Sequence, residues 1–428
     1  MNRTSWLSSI PSHWTVRRAA HVIDMDVGGT PPTSQPEYFD GDIPWLTIAD
    51  MTSGSITRCE KYLSGAGVEA ARIPWSRKGD LLYSFKLSIG KIAFTEIDLV
   101  TNEAIASIHS SSRINLRYAY WMLPLAYEAA ASRNIYGAPI LNQQQLRAAR
   151  LPVPPLPEQQ QIADYLDHET AEIDALIKQL AEVKTLISDR RRTIIDSSFA
   201  HAARPEVALK YLGVLHSGLT LGKRYEVATQ KYPYLRVANV QAGHVDLSEV
   251  AEIDVPPAVA SENRLELNDV LLTEGGDRDK LGRGALWKGQ IDPVLHQNHV
   301  FAFRCNSKLL PEYLVYALES TSARIYFDQT ARQSTNLAST NSTVVKNFKF
   351  PAPPTVDQHS IVERLDHEMS EMQEMLANSN RVIDLARERR AALITAAVTG
   401  QIDVTARNKP AAEQIEDDIA QGLHREYA

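Results

Sequence analysis

One stretch of this chain occurs twice. Leu151-Pro152-Val153-Pro154-Pro155 leads into Gln159, Ile162, Leu166-Asp167-His168-Glu169, Arg190-Arg191 and Ile194-Ile195. Phe350-Pro351-Ala352-Pro353-Pro354 leads into Gln358, Ile361, Leu365-Asp366-His367-Glu368, Arg389-Arg390 and Leu393-Ile394. The two runs lie 199 residues apart and keep register without a gap. A repeat of this length implies two copies of one structural unit and a pseudo-symmetric molecule. Such a molecule suits a pseudo-symmetric partner, of which duplex DNA is the commonest.

The repeat orders the rest of the chain. Residues 1–157 read as a mixed domain of short β-type runs, such as Ile43–Ile48 and Asp80–Phe85, with one helix around Leu116–Arg133. Residues 158–202 contain no proline or glycine and predict a helix about 65 Å long. Residues 203–349 repeat the first domain loosely: Ile43-Pro44-Trp45-Leu46 answers to Tyr232-Pro233-Tyr234-Leu235, and Gly79-Asp80-Leu81-Leu82 to Asn268-Asp269-Val270-Leu271. Residues 350–400 carry the second long helix, stopped at Gly400, and 401–428 form a charged tail. Ile162, Leu166, Ile173, Leu180, Val183 and Ile187 follow a 4-3 seam that also takes in Glu169, Leu176 and Arg190. The same offsets in the second helix give Ile361, Leu365, Met372, Val382 and Leu393, with Met375 and Arg389. A 3.5-residue period over five heptads predicts coiled-coil pairing. The expected fold is therefore α+β: two pseudo-repeated α/β domains separated by two long helices that pair as an antiparallel coiled coil.

The net charge of −7 is unevenly spread. Residues 1–157 carry +2 and 203–349 carry +1, while 158–202 carry −4 and 350–428 carry −6. The acid sits in the helices and tail, which leaves the two domains permissive for DNA. Cys59 and Cys305 stand alone, outside any CxxC pair, and read as small buried residues. No apolar run reaches the roughly 18 residues of a membrane span, and Met1–Trp6 lacks a signal-peptide core, so a cytoplasmic location is expected.

Enzyme motifs are missing. There is no GxxxxGK[ST] loop, no HExxH, no methyltransferase-type Asn/Asp-Pro-Pro-Tyr/Phe tetrapeptide and no glycine-rich nucleotide turn. In the two Leu-Asp-His-Glu tetrads, adjacent Asp and His point about 100° apart on a helix, which favours capping and surface ion pairs over a metal site. The arginine pairs keep two readings: solvated charge, or seam anchors at Arg190 and Arg389. For DNA, the candidates are Lys86, Lys91, Arg133 and Asn134 in the first domain. In the second they are Lys223, Arg224, Arg236, Arg278, Lys280, Arg283, Arg332 and Asn336. Arg and Lys hold phosphates or read guanine, and Asn reads adenine.

Leu151-Pro152-Val153-Pro154-Pro155-Leu156-Pro157-Glu158-Gln159-Gln160-Gln161-Ile162 resembles the signature of specificity subunits of type I restriction-modification enzymes. So do Gly28-Gly29-Thr30-Pro31 and Gly41-Asp42-Ile43-Pro44-Trp45-Leu46. The second copy departs: Thr355-Val356-Asp357 replaces Leu-Pro-Glu, and Ser217-Gly218-Leu219-Thr220 stands where Gly-Gly-Thr-Pro would. The resemblance implies two target recognition domains, each reading half of a split double-stranded DNA site. It implies helices that set the gap and dock two modification (methyltransferase) subunits, with restriction (translocase/nuclease) subunits joining. Cofactors would belong to those partners, S-adenosylmethionine, ATP and Mg among them, and this chain would be non-catalytic. Three alternatives stay open: the specificity subunit of a system with a fused methylase-nuclease partner, a coiled-coil scaffold that binds only proteins, and a cryptic DNA enzyme.

Overall fold

The computed structural model describes residues 5–7, 10–134, 137–200, 205–276, 281–333 and 338–404. The chain forms two compact units, residues 1–179 with 382–428, and residues 180–381. The break falls inside both long helices, which span Leu156–Phe199 and Thr355–Val398. The first begins two residues before the expected 158, because Pro157 sits in the first turn, where no helical N–H is lost. The second begins at Thr355, likewise two residues before the expected Asp357, and follows the strand Lys349–Pro351.

The first unit is built on two sheets. One runs in the order Asp24–Val27, Ile105–His109, Leu81–Ser84, Ile92–Thr95, Gly54–Ile56; only the last pair is parallel. The other runs Lys61–Leu63, Ile43–Leu46, Leu99–Thr101, Trp75–Ser76, with its central pair parallel. The helix Leu116–Ala130 covers the first sheet, burying Tyr118, Met122 and Tyr127 with Leu81, Tyr83 and Ala106. Ile162, Ala163 and Leu166 of the first long helix complete that core, together with Leu393, Ala397 and Val398 of the second.

The second unit repeats the plan with fewer strands. Its sheets run Gly213–Ser217, Val300–Cys305, Val270–Thr273, Gly284–Leu286, and Ala251–Val255, Gln230–Leu235, Leu295–His296. Gly54–Ile56 has no counterpart among the described residues, and Trp75–Ser76 answers to a single antiparallel bridge between Arg264 and Leu295. Pro311–Glu319 takes the covering-helix role, and Ile187, Ile195, Phe199, Ile361, Leu365 and Met372 fill the core beneath it.

The long helices run antiparallel within each unit. In the first, Asp174 pairs with Arg390. In the second, Lys184 donates to Asn380 and Arg364 to Ser198. Of the expected seam, Ile162, Leu166, Ile173, Leu180, Ile187, Ile361, Leu365, Met372 and Leu393 are buried or half-buried. It is wrong at Val183 and Val382, both 41% exposed, and at Leu176 and Met375. The cause is a change of phase. Each helix first steps 4-4-3, through Thr170 in one and Met369 in the other, before heptads begin. Eleven residues in three turns turn the seam by one position, so Ile177, Lys184, Leu376 and Ile383 face inward instead. The second helix closes as expected: Gly400 adopts φ +70°, and Gln401 N–H donates to Ala396 C=O, a left-handed C-terminal stop.

Candidate nucleic-acid interface

Each unit holds its domain on its helix through the same small set of bonds. Gln159 and Gln358 are both buried. The Gln159 carbonyl accepts from Asn115 N–H (2.8 Å) and its amide donates to Pro154 C=O (2.9 Å). The Gln358 carbonyl accepts from Leu310 N–H (2.9 Å) and its amide donates to Pro353 C=O (2.7 Å). Asn115 and Leu310 are the N-caps of the two covering helices. Tyr118 and Tyr313 donate to Pro152 and Pro351 C=O (3.0 and 2.9 Å). Asp167 accepts from Trp121 (2.7 Å), and Asp366 from Tyr316 (2.6 Å). The tetrad aspartates are therefore docking groups, not caps. The histidines beside them make i,i+4 ion pairs with Glu172 and Glu371, both at 3.8 Å. Polar identity kept at one register position while its neighbours vary was the signal, and the sequence reading gave these residues no such role. Replacing Gln358 by Ala strands buried groups on both sides and is expected to cost about 3 kcal/mol. A guanidinium titration with a midpoint unchanged from wild type would contradict this.

The arginine anchors fall on the second residue of each pair. Arg190 and Arg389 are exposed. Arg191 donates twice to Glu319 (3.1 and 2.5 Å), while Arg390 lies over the Trp121 ring and pairs with Asp174 at 2.9 Å. The phase change explains this too, since it turns position 191 inward and 190 outward.

The sheets also repeat bond for bond. Gly28 and Gly218 pass so close to the neighbouring strand that an added Cβ would lie 1.9 Å from Thr101 O and 2.2 Å from His296 O. The next residue's carbonyl accepts from an aromatic side chain in each copy, Gly29 from Trp45 (3.2 Å) and Leu219 from Tyr234 (2.7 Å). Only the first glycine of the Gly-Gly-Thr-Pro motif is sterically required, which explains why the second copy survives with Gly218-Leu219. Asp80 and Asp269 each accept from a backbone N–H three residues earlier and face His109 (2.8 Å) or Arg304 (2.9 and 3.0 Å).

On this common frame the candidate DNA residues scatter. Arg133 and Asn134 lie on a hairpin, Ser132–Arg133 against Pro139–Ile140; Arg133 donates to Gly137 C=O and Asn134 accepts from Ala138 N–H, both at 2.9 Å. Arg332 lies on the corresponding hairpin, Arg332–Gln333 against Ala338–Ser339, in the place of Ser132 rather than Arg133. Lys86, Lys223 and Arg224 are exposed on loops. Lys223 stands over Tyr225. Arg236 is half-buried and pairs with Glu249 at 3.3 Å. Arg283 is half-buried, and Lys91 donates to Met51 C=O (2.7 Å), tethering its loop. Arg278, Lys280 and Asn336 lie outside the described residues. Lys86, Arg133, Asn134, Lys223, Arg224 and Arg332 are thus exposed, while Lys91 and Arg236 are engaged within the fold.

Among the described residues no group of His, Cys, Asp and Glu is placed to hold a metal ion, and no helix is long and apolar enough to cross a membrane. Burial pushes the Cys59 and Cys305 thiols up to about 12, so neither is a thiolate at neutral pH.

Residues 11–185 match the family described as the type I restriction modification DNA specificity domain. The chain is 27% identical over 168 residues to the type I restriction enzyme MjaIX specificity subunit of Methanocaldococcus jannaschii, a match covering 38% of the chain and 39% of the relative. It is 21% identical to the EcoBI specificity subunit of Escherichia coli over 401 residues, 84% of the chain and 80% of the relative. In the first and strongest of these matches the chain spans well under half of the curated relative's length. A solved structure concerned with assembly and conformational transition of the type I R-M system aligns with a TM-score of 0.71 at 16% identity. That alignment covers 92% of this chain and 99% of the other, and it speaks for the fold.

Proposed function

We propose that the chain is the DNA-recognition subunit of a type I restriction-modification complex. Each unit's variable loops read one half of a bipartite duplex site, and the long helices set the gap between halves and dock two modification subunits. Restriction subunits join this core. The chemistry belongs to the partners, which hold S-adenosylmethionine, ATP and Mg, and this chain contributes no catalytic group. The observation that carries the reading is the contrast within the repeat: the bonds that seat each domain recur, while the exposed hairpins and loops differ. Two unlike readers on one frame suit a target with two unlike halves, and linking them lets each half bind weakly.

The test uses the chain in complex with its methyltransferase subunits. Binding to a duplex carrying the motif methylated in the host is expected to fall steeply and linearly in log-log form with salt, and to exceed binding to shuffled duplex by at least 10³-fold, about the lower bound for specific sites. Binding that ignores both sequence and salt would leave only a protein-binding scaffold. Methylation by the isolated chain would overturn its non-catalytic part.

A further inference from the structure

We infer that Leu87 is a specificity-determining residue, making an apolar contact with a base of the first half-site. The inference rests on the reading of the chain as a duplex-DNA reader and assigns a reading role to one side chain of it. Leu87 is 88% exposed and has φ +62°. A single exposed leucine needs no explanation. One held in the left-handed region does, because a Cβ disfavours that conformation and the surroundings must impose it.

The surroundings do so. Leu87 tips the loop between the strands Leu81–Ser84 and Ile92–Thr95. Ser84 N–H donates to Lys91 C=O (2.9 Å), Gly90 N–H to Ser84 C=O (3.0 Å), and the Ser84 hydroxyl to Ser88 C=O (2.5 Å). Phe85, fully buried, pins one end and the Lys91–Met51 bond the other. The tip is thus preorganised, so its contact forms with little ordering cost. Lys86 beside it is exposed, with its Nζ over the Phe85 ring and Glu103 in its field.

The repeat adds a second observation. Counted from Asp80 and Asp269, Gly276 stands at the sequence position of Leu87 in the second unit, within a strand, Gly275–Gly276, that pairs with Ala338–Ser339 of the Arg332 hairpin. The loop after this strand therefore belongs to the hairpin's end of the unit. It carries leucine in one copy and glycine in the other, the kind of difference two unlike half-sites require. The apolar features of a duplex are the thymine methyl and an opened base step.

The complex with its methyltransferase subunits is titrated with motif duplex and shuffled duplex. Leu87→Ala and Leu87→Gly are expected to lose about tenfold on the motif, nothing on shuffled sequence, and to keep the salt slope, since no charge is removed. Lys86→Ala is expected to weaken both duplexes and flatten the slope by about one. Glycine accepts φ +62° without strain, so Leu87→Gly should melt no lower than wild type, which separates lost reading from lost fold. Deoxyuridine in place of each motif thymine distinguishes the sources: a matching loss in wild type assigns the methyl, no loss assigns an opened step. Leu87→Ala that binds the motif like wild type, or loses equally on both duplexes, overturns the proposal. Wild type that fails to distinguish the duplexes overturns the DNA reading instead.

Discussion

Deleting residues 178–184 together with 379–385 is expected to shorten the gap in the recognised sequence by about three base pairs. The two segments oppose one another around the Lys184–Asn380 bond, and each is one heptad, so the inward positions that follow regain their places. Seven residues remove about 10 Å of helix, and base pairs stack about 3.4 Å apart. The half-sites themselves should not change, because no residue of either domain is touched. Methylome sequencing of a host expressing the deletion reads both at once. A motif with the original gap would mean that the helices do not measure it, even if DNA recognition stands. Removing only one of the two segments shifts the remaining pairs by a full heptad, and it is expected to abolish methylation.

Gly28→Ala is expected to unfold the first unit, and Gly218→Ala the second. A Cβ 1.9 Å from Thr101 O or 2.2 Å from His296 O meets the backbone of a strand, which cannot swing aside as a side chain can. The glycine segment must lift away from that strand, at a cost of about 3 kcal/mol or more. Gly29→Ala is the control. Its Cβ would stand 3.4 Å from the Ile73 side chain, a contact that side chain can ease, and its stability should stay within about 0.5 kcal/mol of wild type. Thermal melts followed by limited proteolysis would locate the damage. Equal tolerance of alanine at 28 and 29 would show that the close approach is not required.

The helices, the covering helix and the antiparallel pairing were legible because they rest on periodicity and on proline placement, which act locally. The seam was legible in part. Ile173, Leu180 and Ile187 lie where a heptad puts them, but the 4-4-3 start is set by the domain core packed on the first turns, and a period read from one helix does not contain that core. The docking groups were visible as repeated letters, yet their partners Asn115, Trp121, Leu310 and Tyr316 lie 44 to 50 residues away, which no spacing rule connects. Lys91 and Arg236 show the same limit from the other side: a basic residue in a loop is a candidate ligand until an acceptor such as Met51 C=O or Glu249 is found beside it.

The division of the chain into units has a consequence for the order in which the protein is made. The second unit is contiguous, from 180 to 381, whereas the first needs 382–398 to finish its core with Leu393, Ala397 and Val398. Synthesis runs from the N-terminus and domains fold as their residues emerge. The domain that is made first is therefore completed last: it must wait through the making of its twin with Ile162 and Leu166 uncovered, and a ribosome that stalls near residue 381 releases a finished second unit tethered to an unfinished first.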